Sequence, residues 1–211
     1  NDVEETVIQN IPIFNTLSDS DNDSFPLPIN GVEEGFWFHG THHDGAEDIR
    51  VNGINLNAGK RSKDFSDGNG FYLSPCYEDA RRWAKEGNVG GKKAAVIVFK
   101  HVIDIDDDSK GINLLGKSNE WADIIKYYRS GKDAQIFKFT KKRKKEWDGS
   151  AFIFGEMSGD GTKCNNKKFN PKRIVDSRQL CIKSKDLADE FSKKIERIIF
   201  MAEPCKQLVS K

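Results

Sequence analysis

The spacing of apolar and polar residues along the chain predicts short strands interleaved with helices. Short apolar runs at residues 36–38 and 71–73, and a longer one at 94–99, are typical of buried strands. Residues 151–155 and 179–182 are further strand candidates. Because strands and helical segments alternate too irregularly for a doubly wound parallel sheet, the pattern predicts the α+β fold class.

Helical spacing of apolar residues marks two longer helices. The first is expected to have Ser118 as its N-cap, and the second to start directly after Ser184. The first carries on one face Trp121, Ile124, Ile125 and Tyr128. The second carries Leu187, Phe191, Ile195, Ile198 and Ile199, so we expect it to continue to about residue 199.

Capping signals predict two shorter helices. Asp44 and Glu47 have the spacing of a capping box, and the helix that they open is expected to stop at Gly53. Ser74 followed by Pro75 has the pattern of another helix start. The polar segment between these helices, residues 57–69, is expected to form a mobile loop.

Charge divides the chain into two parts. Residues 1–34 contain eight acidic side chains and no Lys or Arg, together with three prolines. This composition predicts a flexible acidic arm or a strap across the domain. The remaining residues, 35–211, are long enough for one domain with a substantial core.

The cysteines and the length of the apolar runs indicate in which cellular compartment the protein is expected. Four scattered cysteines lack C-x-x-C spacing, which favours free thiols in a reducing compartment. No apolar run reaches the length of about 18 residues that a membrane span needs, and the first residues lack a signal-peptide pattern. We expect a cytoplasmic or nuclear protein, with secretion kept open by the glycosylation sequon at Asn22.

Three histidines close together raise the question of a metal site. His39 and His43 are four residues apart, but Gly40 and the preceding strand argue against the shared helix face that such ligands need. We therefore expect no metal, and we expect His42 and His43 to be exposed loop residues. The sequence also has no nucleophile-elbow or Walker-type phosphate-loop motif.

Two aromatic segments with adjacent glycines are the best candidates for a binding site. Residues 36–41 read Phe-Trp-Phe-His-Gly-Thr, and residues 67–74 read Asp-Gly-Asn-Gly-Phe-Tyr-Leu-Ser. Each places one polar-tipped side chain, His39 or Tyr72, within an apolar run. Glycine permits close approach of a backbone to a ligand, so a flat heteroaromatic ligand could lie on Tyr72 while His39 binds a nearby hydroxyl.

These segments resemble the His-Tyr branch of the ADP-ribosyltransferase superfamily, which includes poly(ADP-ribose) polymerases and diphtheria toxin. The similar features are His-Gly-Thr, the later Gly-Phe-Tyr strand, and an aromatic residue eleven positions beyond the tyrosine, Trp83. Small polymerase-like domains with a Phe-Tyr-Leu strand, an Ala-x-x-Trp-Ala helix and a late Gln-x-Cys strand are more similar still. The resemblance covers about residues 36–191 and implies split antiparallel sheets with flanking helices.

The resemblance implies NAD as a substrate. His39 would bond a ribose hydroxyl, the Gly40 backbone would hold the nicotinamide carboxamide, and Tyr72 would stack on the nicotinamide ring with Trp83 as the opposite wall. The resemblance also implies that Thr41 and Ser74, which adjoin these motifs, belong to the NAD-binding residues. Ala80 stands where the polymerases have a serine that bonds the carboxamide.

The family's third signature residue is a glutamate that stabilises the developing ribosyl cation. Gln179 occupies the matching strand, and an amide supplies a hydrogen-bond acceptor but no negative charge. Glu156 is the alternative carboxylate, from a nearby segment. We favour Gln179, because its strand and the following helix match the family's order.

The implied activity is mono-ADP-ribosyl transfer from NAD to a protein or nucleic-acid acceptor. The alternatives are an NAD glycohydrolase and a catalytically silent module that binds NAD, ADP-ribose or nucleic acid. A basic run could recruit an acidic protein or a nucleic acid, with Trp147 stacking on a base. This run consists of Lys141, Lys142, Arg143, Lys144 and Lys145.

Overall fold

A computed structural model describes residues 11–15, 32, 34–59, 62–86, 92–130, 137–159 and 169–201. These residues form two four-stranded sheets and five α-helices, so the predicted α+β class is confirmed. The strands are β1 (Ile13–Asn15), β2 (Phe36–His42), β3 (Phe71–Leu73), β4 (Ala94–Lys100), β5 (Gly111–Asn113), β6 (Phe152–Ser158), β7 (Arg173–Ile182) and β8 (Ile195–Phe200). The helices are α1 (His43–Asn52), α2 (Tyr77–Glu86), α3 (Ser118–Arg129), α4 (Lys141–Gly149) and α5 (Lys185–Ser192).

Both sheets are mixed, with mainly antiparallel pairs. The first has the order β1-β8-β4-β2, in which β1 runs parallel to β8. The second has the order β3-β7-β6-β5, in which β5 runs parallel to β6. Strands β2 and β3 therefore lie at the edges of their sheets.

The core is divided into three apolar clusters. The largest fills the space between the sheets, with Trp37 and Phe99 from the first sheet and Phe154 and Leu180 from the second. A second cluster packs α3 and α4 on the outer side of the second sheet. The third packs α2 on the outer side of the first sheet. Because both faces of each sheet are covered, the edges of the sheets are where a ligand has access.

A backbone bridge joins the two sheets along the edges of β2 and β3. The backbones of Phe38 and Ser74 exchange two hydrogen bonds of 2.8 Å. The same register would next place Gly40 opposite Tyr72, but no bridge forms between these two residues. The edges separate there, and the separation leaves an opening between the sheets.

Three predicted helix starts are corrected. His42, not Asp44, caps α1, because its Nδ1 accepts from the backbone N–H of Gly45 at 3.0 Å. Helix α2 begins at Tyr77 rather than after Ser74, whose hydroxyl accepts from the N–H of Cys76 at 3.0 Å. Ser118 lies inside α3, and its N-cap position has no side-chain hydrogen bond. The predicted stop of α1 at Gly53, with φ of 77°, is confirmed.

The prediction of one long final helix is wrong in its second half. Helix α5 starts after Ser184 as expected but ends at Ser192, and Ile195–Phe200 is strand β8. This strand lies between β1 and β4, which supply backbone partners on both of its edges. Sheet pairing thus determines the structure of a segment whose β-branched residues also fit a helical spacing.

The basic run forms helix α4, and its tryptophan belongs to the core. Trp147 is completely buried against Tyr127 and Phe139, with the Arg143 guanidinium 5.0 Å from its ring centroid. The expectation that Trp147 stacks on a nucleic-acid base is therefore wrong. The lysines of this helix remain exposed or partly exposed.

Most of the predicted acidic arm lies outside the described residues. Within it, Ile13 pairs with Ile198 in the first sheet, and the carbonyl of Pro12 accepts from the N–H of Ile198 at 3.1 Å. Ile11 packs against the central core, whereas Ile13 is 48% exposed. Among the described residues no helix combines the length and apolar character that a membrane span requires.

Replacing Phe191 by Ala tests the central core. Phe191 is fully buried and makes edge contacts with the rings of Phe99 and His101. We expect the free energy of unfolding to fall by about 3–5 kcal/mol, because a large cavity opens. Denaturant unfolding measures this change, with Val175→Ala at an 81% exposed position as the control within about 0.5 kcal/mol of wild type. Similar losses in the two variants would contradict the burial of Phe191.

Candidate functional site

A cavity of about 440 Å³ opens where β2 and β3 separate. We call it the cleft. Its lining includes five residues that the sequence singled out: His39, Gly40, Tyr72, Trp83 and Gln179. The two sheets thus bring together residues that are up to 140 positions apart in the chain, from His39 to Gln179.

His39 spans the gap between the two sheets. Its Nδ1 lies 2.7 Å from the carbonyl oxygen of Tyr72, and its ring stacks on Phe71 at a centroid distance of 4.1 Å. Burial lowers the pKa of His39 to about 4, so the ring is neutral near pH 7. Because a carbonyl can only accept, Nδ1 carries the proton and Nε2 is a hydrogen-bond acceptor. Among the described residues Nε2 has no hydrogen-bond partner, so it can accept a hydrogen bond from a hydroxyl group of a ligand.

Tyr72 is held by its hydroxyl group. The oxygen accepts from the backbone N–H of Phe65 at 2.9 Å and lies 3.1 Å from the hydroxyl of Ser66. Burial raises the pKa of Tyr72 well above its usual value, so the phenol stays protonated. These bonds fix the ring as a wall of the cleft and leave its face for a ligand. Residues 64–66 are buried, although they lie within the segment expected to form a mobile loop.

Gly40 is required for packing. A Cβ atom at this position would lie 2.0 Å from the carbonyl oxygen of Ala80, so only glycine lets α2 approach β2 this closely.

The backbone N–H and C=O of Gly40 point towards the cleft. Phe38 directs its N–H and C=O away from β4 towards Ser74, and strand alternation directs those of Gly40 to the same edge. Since the sheets have separated there, this donor and acceptor face the cleft.

The floor of the cleft holds a buried ion pair that the sequence analysis missed. Asp64 and Arg129 are 6% and 9% exposed, and the Arg129 Nε donates to Asp64 Oδ1 at 2.6 Å. The side-chain amide of Gln179 donates to Asp64 Oδ2 at 2.7 Å. Asp64 lies in a polar stretch that reads like a solvated loop, and no local sequence signal indicates these partners.

Three predicted site residues lie elsewhere. Glu156 is outside the cleft lining, and its carboxylate Oε1 contacts Arg173 at 3.2 Å. Ser74 is fully buried and donates its hydroxyl to the carbonyl of Arg178 at 3.2 Å, so it is not available to a ligand. Thr41 lines a neighbouring cavity of about 460 Å³, which shares only His39 and Tyr72 with the cleft.

Comparison with known proteins gives one match. Residues 38–189, well over half of the chain, match the family described as "Protein of unknown function (DUF3990)". The chain belongs to the DUF3990 family. No curated protein and no solved structure matches the chain.

The part of the chain shared with the DUF3990 family contains the whole cleft. The cleft lining runs from His39 to Gln179, within the matched residues 38–189. Strands β1 and β8 lie outside the match. Within the described part of this DUF3990 chain, no cluster of three or more His, Cys, Asp or Glu side chains could hold a metal ion. Cys76 and Cys181 are free thiols, and the other two cysteines lie outside the described residues.

Gly40→Ala tests the close contact between α2 and β2. We expect loss of at least about 1–3 kcal/mol of folding free energy, because the new methyl group overlaps the Ala80 carbonyl and forces the backbones apart. Thermal and denaturant unfolding measure the change. Gly149→Ala is the matched control, since a Cβ there meets no atom within 4 Å. Equal stability of the two variants would contradict the packing described.

The lowered pKa of His39 predicts a loss of stability in acid. An unfolded chain protonates this histidine below about pH 6.5, whereas the folded chain does so only near pH 4. The folded state is therefore destabilised as pH falls from 6.5 to 4, by at most about 1.4 kcal/mol per pH unit, and the loss levels off below that range. Unfolding curves of wild type and His39→Gln isolate this contribution. Parallel pH profiles of the two proteins would contradict it.

Proposed function

We propose that this protein transfers a single ADP-ribose unit from NAD to a nucleophilic acceptor. The observation that carries the proposal is the convergence of His39, Gly40, Tyr72, Trp83 and Gln179 on one cavity. His39, Gly40, Tyr72 and Trp83 correspond to motif residues of the His-Tyr branch of the ADP-ribosyltransferases, and Gln179 stands where that branch has its glutamate. Two sheets that separate beside this cavity are also what that resemblance implies, so we extend the proposal to an ADP-ribosyltransferase type of fold.

The cleft offers suitable groups for a nicotinamide. The outward N–H and C=O of Gly40 form a donor and acceptor pair that complements a carboxamide. Tyr72 and Trp83 supply aromatic surface for the pyridinium ring. His39 Nε2 can accept a hydrogen bond from a ribose hydroxyl.

The adjoining cavity has room for the rest of a dinucleotide. It meets the cleft at His39 and Tyr72, and it includes the hydroxyl-bearing Thr41 among its lining residues. A molecule lying across these two shared side chains would place its nicotinamide riboside in the cleft and its ADP in the second cavity. The cavities, about 440 and 460 Å³, lie in the range typical of small-molecule sites.

The proposed reaction breaks the bond between ribose C1′ and the nicotinamide nitrogen. The bonding electrons pass to the pyridinium, which leaves as neutral nicotinamide, and positive charge develops on C1′ and the ring oxygen. The acceptor then bonds C1′ and loses its proton to a base or to solvent. Side chains at the cleft contribute by orienting the ribose and by hydrogen bonds that strengthen as charge develops, for which Gln179 is the candidate.

The basic helix α4 is proposed to favour an acidic acceptor. It presents four lysines and an arginine within five residues, Lys141, Lys142, Arg143, Lys144 and Lys145. Arg143 pairs with Asp123 at 3.0 Å, so the lysines carry most of the uncompensated charge. A protein or nucleic acid with negative charge would be attracted to this surface.

Incubation with NAD labelled in its adenosine part tests the proposal. We expect label on a macromolecule together with release of free nicotinamide. Free labelled ADP-ribose without labelled acceptor would instead identify an NAD glycohydrolase. Unchanged NAD that nevertheless binds would identify a binding module, and neither turnover nor binding would refute the use of NAD altogether.

Variants of the cleft link turnover to the site. His39→Ala and Tyr72→Ala should each lower the rate of nicotinamide release at subsaturating NAD by about tenfold or more, because ribose and ring contacts are lost. Tyr72→Phe should retain more of that rate, since it keeps the ring. His101→Ala is the control, because His101 lies outside the cleft lining and its Nε2 is 3.4 Å from Glu190. Unchanged rates in the two Ala variants of the cleft would disprove the assignment of the pocket.

A further inference from the structure

The ion pair in the floor of the cleft has a geometry that bears on the missing glutamate. Asp64 receives four contacts from hydrogen-bond donors. Oδ1 is 2.6 Å from Nε and 2.5 Å from Nη2 of Arg129. Oδ2 accepts from Gln179 Nε2 at 2.7 Å and from the backbone N–H of Ser158 at 2.9 Å. The Arg129 guanidinium and the backbone N–H of Ser158 can only donate, so Asp64 pairs with them as a hydrogen-bond acceptor on both of its oxygens.

This arrangement determines how the Gln179 amide is oriented. A glutamine amide can rotate by half a turn and exchange its oxygen and nitrogen. A carboxylate accepts only, so Nε2 must face Asp64 and Oε1 must face the other way. No hydrogen bond to Oε1 occurs within the described part of the chain, and Gln179 lines the cleft. Oε1 is therefore available as an acceptor for a ligand hydroxyl.

The same hydrogen bond couples the amide to a full negative charge. Donation from Nε2 to a carboxylate increases the electron density on Oε1, because hydrogen bonds in a chain polarise one another. Arg129 and the Ser158 N–H hold the carboxylate in place. The charge that a glutamate on β7 would carry thus lies on Asp64, in contact with the Gln179 amide and on a different segment of the chain.

We propose that Asp64 is a positioning residue that holds the Gln179 amide with its oxygen towards the ribose and places negative charge behind it. This inference rests on the proposed function, because it assigns Gln179 a role in NAD cleavage. It accounts for activity without a glutamate on β7. It also assigns a role to a buried carboxylate in the floor of the cleft.

A double-mutant cycle of Asp64→Asn and Gln179→Ala tests the proposal. An asparagine has one acceptor oxygen, for which Arg129 and Gln179 would compete, so the amide at position 179 loses its orientation. We expect Asp64→Asn to lower kcat for nicotinamide release about 10- to 100-fold with little change in KM. In the Gln179→Ala background the same substitution should leave kcat unchanged.

Asp79→Asn is the matched control for removal of a buried carboxylate. Asp79 is 7% exposed, pairs with Arg82 at 2.7 Å and lies outside the cleft lining. Thermal unfolding of every variant separates loss of stability from loss of turnover. A purely structural role for Asp64 predicts that its substitution lowers kcat by the same factor with and without Gln179, and that result would overturn the proposal.

Gln179→Glu keeps the Asp64–Arg129 ion pair and decides the matter if Asp64→Asn does not fold. The introduced carboxylate would face Asp64 Oδ2 across the present 2.7 Å contact, where like charges repel. We therefore expect kcat near pH 7 to stay the same or fall. A gain of about tenfold or more would show that the cleft lacks a negative charge, contrary to the proposal. If the wild-type protein does not turn NAD over, the proposed function fails and this inference fails with it. If it does turn NAD over but the effects of Asp64→Asn and Gln179→Ala on kcat are additive, only this inference is rejected.

Discussion

The separation of β2 from β3 beyond the Phe38–Ser74 bridge is the constraint on which the site depends. Continued pairing would have placed Gly40 against Tyr72 and closed the cleft. The His39 side chain replaces the next backbone contact by donating to the Tyr72 carbonyl at 2.7 Å. One imidazole therefore connects the sheets, fixes its own tautomer and leaves an acceptor in the opening. The same separation frees the backbone N–H and C=O of Gly40 for a ligand. The rest of the strand edge does not have to be left unpaired for this.

The walls and the floor of the cleft differ in their electrostatics. The wall residues His39 and Tyr72 are neutral near pH 7, because burial lowers the pKa of the first and raises that of the second. The floor carries two full charges, on Asp64 and Arg129, which compensate each other at 2.5 Å. In the function proposed above, a cationic ring would meet aromatic surface, while the charged groups of the floor would act through the Gln179 amide. Such an order would avoid a strong ground-state ion pair with the substrate and would reserve the polar response for charge that develops during the reaction.

The sequence predicts elements well where a local pattern is sufficient. Apolar runs correctly indicated β3 and β4, and helical spacing indicated α3. Prediction from the sequence fails where residues that are distant in the chain determine the local structure. Strand β8 has residues at helical spacing, but pairing with β1 and β4 makes it a strand. Asp64 lies in a polar stretch, and its burial requires Arg129 and Gln179, which are 65 and 115 residues away. The motif residues of the cleft could be proposed from the sequence, whereas the charge beneath them could not.

The contacts of Asp64 tie the candidate chemistry to the second sheet as a whole. Its donors come from the end of α3, from β6 and from β7, while Asp64 itself precedes β3. The ring of Tyr72 belongs to the same sheet and is anchored beside Asp64 by the backbone of Phe65. Only His39, Gly40 and the residues of α2 come from the other side. The position of a ligand relative to Gln179 therefore depends on the relation between the two sheets, which is set at the Phe38–Ser74 bridge and by the apolar core behind it. A site built in this way can keep its floor rigid while its opposite wall varies, because the two belong to separately packed layers.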